Sequence, residues 1–154
     1  MQYGTNITTD LGQAHAHIIQ FLHLYACLVY RHEFHIAKLE CQSSQNHHLI
    51  YSAGPNTIVG LSKQPEGTSL DASKVVASLL PAYIDLLKQL KDLGVPEVQI
   101  HEPILTVHKA DQLQSNFETT YAEFAKIGLA IDLVTYYDDI GTTFSWVTKL
   151  PVQV

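Results

Sequence analysis

Val98-Gln99-Ile100-His101-Glu102-Pro103 is a short apolar run that stops in an imidazole, a carboxylate and a proline. It reads as a buried strand that delivers polar side chains at its carboxyl end, where α/β folds keep their sites. Upstream, Val76, Leu79, Leu80, Tyr83, Leu86, Leu87, Leu90 and Leu93 recur at steps of three and one, the clearest helical pattern in the chain. Ser69 or Asp71 can cap that helix and Gly94 can end it, while Pro81 lies inside it and would kink or split it. Downstream, Leu113, Phe117, Tyr121 and Phe124 share one face of a second helix, with Gly128 at its end.

Further out the same grammar repeats. Leu49-Ile50-Tyr51-Ser52-Ala53 runs into Gly54-Pro55 and Thr57-Ile58-Val59, the pattern of a strand that ends at a Gly-Pro loop, and Gln64-Pro65-Glu66-Gly67 marks a surface loop. Leu129 to Tyr136 forms a third strand that leads into Tyr137-Asp138-Asp139, and Thr142 to Leu150 a last short helix before Pro151. Strand, helix, strand, helix, strand specifies a parallel sheet with right-handed crossovers. The expected fold class is therefore α/β, a partial (βα)8-barrel-like unit over residues 49–154.

Residues 1–48 differ in character. They hold seven of the 9 histidines (His15, His17, His23, His32, His35, His47 and His48) and both cysteines, and they are sparse in Gly and Pro. Ile18, Leu22, Tyr25, Leu28 and Val29 suggest an amphipathic helix, so this part is expected to be a helical, His-rich segment ahead of the α/β unit. His32-Glu33-Phe34-His35 departs from the H-E-x-x-H zinc motif. Two imidazoles at i and i+3 can still share a metal, with Cys41 or His47 closing the site, but the spacing does not require one, and no metal site is assigned.

Composition narrows the function classes. With 154 residues, 46% hydrophobic and 16% charged, the chain has enough material for one core. A net charge of -6 with 9 dispersed basic residues argues against a nucleic-acid surface. The run from Ile18 to Tyr30, broken by Gln20 and His23, is shorter than the roughly 20 residues of a membrane span. Two cysteines without a C-x-x-C pair, and no Lys or Arg before Arg31, give the expectation of reduced thiols and a cytoplasmic protein.

The candidate binding residues are His101, Glu102, Asp138 and Asp139. If the second and third strands are neighbours in a parallel sheet, these groups share one rim, where they can hold a ligand or equally cap helices and bind water. Tyr136 and Tyr137 read as packing residues with wet hydroxyls.

Gly54-Pro55, Gln99-Ile100-His101-Glu102-Pro103 and Thr135-Tyr136-Tyr137-Asp138-Asp139, in this order and at these separations, resemble the cobalamin-independent methionine synthase family over about Leu49 to Val152. That family has two (βα)8 barrels, both with a Gln-Ile-Asp-Glu-Pro type strand end. Its second, catalytic barrel carries a His-x-Cys pair that ligates the zinc activating homocysteine, where this chain has Tyr136 and Asp138. Its first barrel has a Thr-Tyr-aromatic-x-Asp run, matched by Thr135 to Asp139, and a Leu-Ser-Lys matched by Leu61-Ser62-Lys63. The resemblance thus points to part of the first barrel, which packs against the catalytic one and helps to hold the polyglutamate tail of methyltetrahydrofolate. His101 stands where the family has Asp, so a contact relying on that carboxylate is lost or inverted. Only about three of eight strands are matched.

Two functions follow as expectations. In the first, the chain is a first-barrel piece of a zinc-dependent methyltransferase of methionine biosynthesis. It would have no catalytic residues and no cofactor of its own, and would depend on a zinc-bearing barrel as partner, with folate and homocysteine as small molecules by resemblance only. In the second, it is a non-enzymatic binding module whose open sheet edges are closed by residues 1–48 or by a second copy.

Overall fold

A computed structural model describes residues 50–62, 71–107 and 110–152. The expected helical, His-rich segment and the Gln64–Gly67 loop lie outside the described residues. Three strands, β1 (Ile50–Ala53), β2 (Glu97–His101) and β3 (Ala130–Val134), form a parallel sheet in the order β1-β2-β3. Ser52 pairs with Ile100 and Ile100 with Leu133, so the strand ends are level at Ala53, His101 and Val134. Four helices accompany them: α1 (Pro55–Leu61), α2 (Ala72–Asp92), α3 (Gln114–Ala125) and α4 (Phe144–Val147). Short 3-10 turns occupy Pro103–Thr106, Ala110–Leu113 and Gly141–Thr143. The architecture is mixed α/β, consistent with a partial barrel.

Two expectations from the sequence need correction. Gly54-Pro55 does not open a loop. Gly54 alone, with extended backbone (φ -74, ψ 152), joins β1 to a helix that begins at Pro55, and Thr57-Ile58-Val59 are helical. Proline suits the first helical position because its fixed φ is already helical and its missing N–H has no helical partner there. The third strand stops at Val134 rather than Tyr136. Its partner β2 ends at His101, and beyond Glu102 a proline without an N–H cannot extend the ladder.

The helix α2 forms over its whole predicted length. Asp71 caps it by accepting from the N–H of Ser73 (3.0 Å) and of Lys74 (3.4 Å). At the other end Gly94 takes φ 82, its N–H donating to Lys91 O and the next N–H, of Val95, reaching back to Leu90 O. That pair of bonds is the Schellman ending, which needs a left-handed residue at this position. Pro81 neither splits nor ends the helix; it lies on the exposed side, where water can satisfy the carbonyl that loses its partner. We therefore expect Pro81→Ala to stabilise the protein by about 1–2 kcal/mol, read as a higher urea midpoint with unchanged slope.

The core lies between the sheet and the helices α2 and α3. Val98 and Ile100 of β2 and Ile131 and Leu133 of β3 are buried on that side, and strand alternation turns Gln99, His101, Asp132 and Val134 to the other, half-open side. Leu79, Tyr83, Leu87 and Leu90 of α2 meet Phe117, Tyr121 and Phe124 of α3. Tyr121 and Phe117 stack at 5.8 Å and Tyr83 and Phe124 at 5.9 Å between ring centroids, an aromatic layer beneath the sheet's carboxyl end.

Candidate functional site

The residue after β2 is the centre of the polar structure at the strand ends. Glu102 is 0% exposed. Its own N–H donates to Val134 O at 2.8 Å, fixing it to β3, and the N–H of Gly54 donates to His101 O at 2.8 Å, fixing β1 beside it. The Glu102 side chain follows Ile100 to the helix side of the sheet and meets the first turn of α1. There Oε2 accepts from the N–H of Thr57 (2.7 Å), while Oε1 accepts from the N–H (3.4 Å) and Nδ2 (3.2 Å) of Asn56. The Tyr121 hydroxyl, from α3, donates to the same Oε1 at 3.3 Å. First-turn N–H groups have no partner within their own helix, so this carboxylate completes α1.

Neighbouring groups hold the arrangement. The N–H of Ile104 donates to Thr57 Oγ1 (3.3 Å), and the Tyr83 hydroxyl donates to Ala53 O (2.6 Å) at the end of β1. Gly54 leaves the space that the carboxylate fills: a Cβ there would lie 2.0 Å from Glu102 Cδ and 2.1 Å from Oε1. This glycine is required by room rather than by backbone angle, since its φ is one that any residue adopts.

Burial pushes the Glu102 carboxyl up to about 7 from its ordinary 4.5, against the hydrogen bonds of Thr57 and Asn56, which favour the ionised form. The Tyr121 hydroxyl is pushed well above its usual range, first by burial and then by the Glu102 charge, so it remains a donor. Between about pH 4.5 and 7 the folded chain keeps a proton that the unfolded chain has released. The stabilisation from this group is therefore complete below about pH 4.5 and falls as pH rises to about 7. The expected loss is roughly 3 kcal/mol, measured by urea unfolding at pH 5 and pH 8, and Glu102→Gln should remove that component.

The four candidate binding residues are not gathered into one rim cluster. Glu102 lies inside, with both oxygens occupied by donors of the chain itself. His101 faces the opposite side of the sheet between the rings of Tyr51 and Tyr136, each at 5.6 Å. Asp138 and Asp139 are exposed in the turn after β3, where Asp138 accepts from the N–H of Asp139 (2.8 Å) and Asp139 from that of Gly141 (2.6 Å). Among the described residues no hydrogen bond or ion pair joins these three residues to Glu102 or to one another, apart from the Asp138–Asp139 turn bond. The physical reason is strand alternation: consecutive residues point to opposite faces, so a His-Glu pair at a strand end is divided between the two.

The same alternation explains what the sequence left hidden. Asn56, Thr57 and Tyr121 complete the Glu102 site, and only Gly54-Pro55 signalled a backbone approach there. Tyr136 and Tyr137 do pack, edge to face at 4.6 Å, but Tyr137 is 87% exposed and takes φ 92, a left-handed backbone that a non-glycine residue adopts only under strain. Among the described residues no group of three His, Cys, Asp or Glu side chains is placed to hold a metal ion. No helix among them is long and apolar enough to cross a membrane.

The sequence profile of the cobalamin-independent synthase, N-terminal domain, matches residues 31–154. The chain belongs to this family. The cobalamin-independent synthase match opens at Arg31, ahead of Leu49, so the last part of the His-rich segment lies within it. Individual relatives carry the name 5-methyltetrahydropteroyltriglutamate–homocysteine methyltransferase. That of Trichodesmium erythraeum is 49% identical over 98 residues, which is 64% of this chain and 13% of that protein. That of a Synechococcus species is 45% identical over 98 residues (64% and 12%). One from Schizosaccharomyces pombe, named as probable, is 31% identical over 99 residues (64% and 13%). The chain thus aligns with about 13% of the length of these curated relatives. In this member of the cobalamin-independent synthase family, the Glu-Pro strand end is an internal joint of the fold.

Proposed function

We propose that the chain contributes part of the first barrel of a cytoplasmic methionine synthase, and that methyl transfer to homocysteine requires a separate zinc-bearing barrel. The observation that carries this reading is the family match over residues 31–154, together with strands that run parallel in sequence order, as consecutive strands of a barrel do. The chemistry of the strand end supports it. Activating a thiol needs a metal held by thiolate and imidazole donors, and the positions that correspond to the catalytic His-x-Cys pair hold Tyr136, packed on His101 and Tyr137, and Asp138, engaged by the N–H of Asp139. Those side chains do not fit a zinc site of that kind.

In this reading the residues that would meet a folate tail or a partner barrel are the half-buried His101 and the exposed Asp138 and Asp139, while Glu102 supports them from beneath. The purified chain should show no methyl transfer from methyltetrahydrofolate triglutamate to homocysteine. Turnover proportional to added chain and abolished by a chelator would overturn the proposal.

A second reading, a self-associating binding module, is favoured by one feature. Among the described residues β1 and β3 each have one unpaired edge and the Gln99–His101 face of the sheet is half-open, whereas parallel sheets are ordinarily covered on both faces. Light scattering in which the mass rises with concentration supports this reading, and a monomer across the range counts against it.

A further inference from the structure

The Glu102 site contains one polar atom that its hydrogen bonding does not use. Asn56 is 2% exposed, and while its Nδ2 donates to Glu102 Oε1, its Oδ1 is buried without a partner. Four groups donate to the carboxylate, two backbone N–H groups, the Asn56 amide and the Tyr121 hydroxyl, and the Thr57 side chain also hydrogen-bonds to it. This set suits an ionised carboxylate. The O–H of a neutral one can be met by the Tyr121 hydroxyl oxygen, if its own proton turns away, or by the unpartnered Asn56 Oδ1, if that amide turns over.

We propose that Glu102 and Asn56 form a proton-operated pair, in which uptake of a proton on Glu102 Oε1 reverses the Asn56 side-chain amide so that Oδ1 accepts the new O–H. The proton comes from solvent, and no covalent bond other than the O–H is made or broken. The N–H···O bond from Nδ2 is exchanged for an O–H···O bond to Oδ1. Oε1 is the oxygen that takes the proton because its three bonds are long, 3.2 to 3.4 Å, whereas Oε2 keeps its 2.7 Å bond from Thr57 N–H. Each orientation of the amide leaves one end unpaired, Oδ1 in the ionised state and Nδ2 in the neutral one. The proton decides which.

The surroundings leave the proton little else to answer to. From α3 only Tyr121 reaches the carboxylate, and from α2 the Tyr83 hydroxyl is turned to Ala53 O. From α1 the facing groups are Asn56 and Thr57, which do not titrate, and His101 lies on the other face of the sheet. No Lys or Arg among the described residues forms an ion pair with Glu102. The carboxyl value near 7 is consistent with a site that changes state around neutrality.

The test is a pH titration of the folded chain with two readouts, the infrared carbonyl band of protonated Glu102 and the side-chain amide nitrogen signal of Asn56. Both should move with one midpoint near neutrality. In Glu102→Gln, whose amide also donates toward Asn56 Oδ1, the Asn56 signal should stay at its low-pH position at every pH. A Glu102 carboxyl that remains ionised to the ordinary carboxylate range, or an Asn56 amide that does not respond while Glu102 titrates, overturns the proposal. Both readouts on the unmodified chain decide the matter even if the variant does not fold.

Discussion

Glu102→Ala is expected to lower the free energy of unfolding by about 4–5 kcal/mol, near the limit of what one substitution does. Among the described residues the carboxylate is the hydrogen-bond acceptor of the first-turn N–H groups of Asn56 and Thr57, of the Asn56 amide and of the Tyr121 hydroxyl. Each buried donor left unpaired costs about 1–3 kcal/mol. Part of the loss is returned because an ionisable group is no longer held out of water, so the sum of four donors overstates the effect. A total stability of about 5–15 kcal/mol means that the variant is expected to be marginal, with α1 the first element released. Denaturant unfolding measures the change. Glu102→Gln keeps the shape and one acceptor oxygen, so it should cost less than Glu102→Ala.

Gly54→Ala is expected to cost about 4 kcal/mol although it adds one methyl group. The new Cβ would fall 2.0 Å from Glu102 Cδ and 2.6 Å from Cγ, in a place where the carboxylate is held by four hydrogen bonds. Overpacking commonly costs about 1–3 kcal/mol when neighbours can shift, and here the neighbour is the anchor of the first helix. The backbone conformation itself is acceptable to alanine, so the entire effect is steric. A consequence separates this account from general glycine intolerance: combined with Glu102→Ala, the Gly54→Ala penalty should largely disappear, because the atoms it strikes are gone. A double-mutant cycle with a coupling near zero would contradict the contact.

Helix and strand positions were legible in the sequence because periodicity reports the solvent boundary. The Leu79–Leu90 spacing and the Leu113–Phe124 spacing named the faces that are buried, and the parallel order followed from alternating strands and helices. The helix at Pro55 was not legible: it has only seven residues, Gly-Pro marks both loops and helix starts, and its first turn is stabilised by a carboxylate from a residue 45 positions away. Whether Pro81 kinks or splits its helix was not legible either, since its cost depends on whether the unpaired carbonyl faces solvent; the helix is not split. The candidate site was half legible. The Glu-Pro strand end was identified as the polar centre, but a list of neighbouring polar residues does not say which face each one takes. His101 and Glu102 were separated by alternation, and Asp138 and Asp139 by the turn that begins where β3 loses its partner.

The most direct measurement is hydrogen exchange of the Thr57 amide in the unmodified chain. This N–H lies in the first turn of a seven-residue helix, where no intrahelical acceptor exists, and its partner is Glu102 Oε2 at 2.7 Å. If Glu102 joins the strand end to the helix as described, Thr57 exchanges as slowly as the core strand amide of Ile100, through global unfolding. Exchange of Thr57 at the rate of a frayed helix terminus, with Ile100 still protected, would contradict the account.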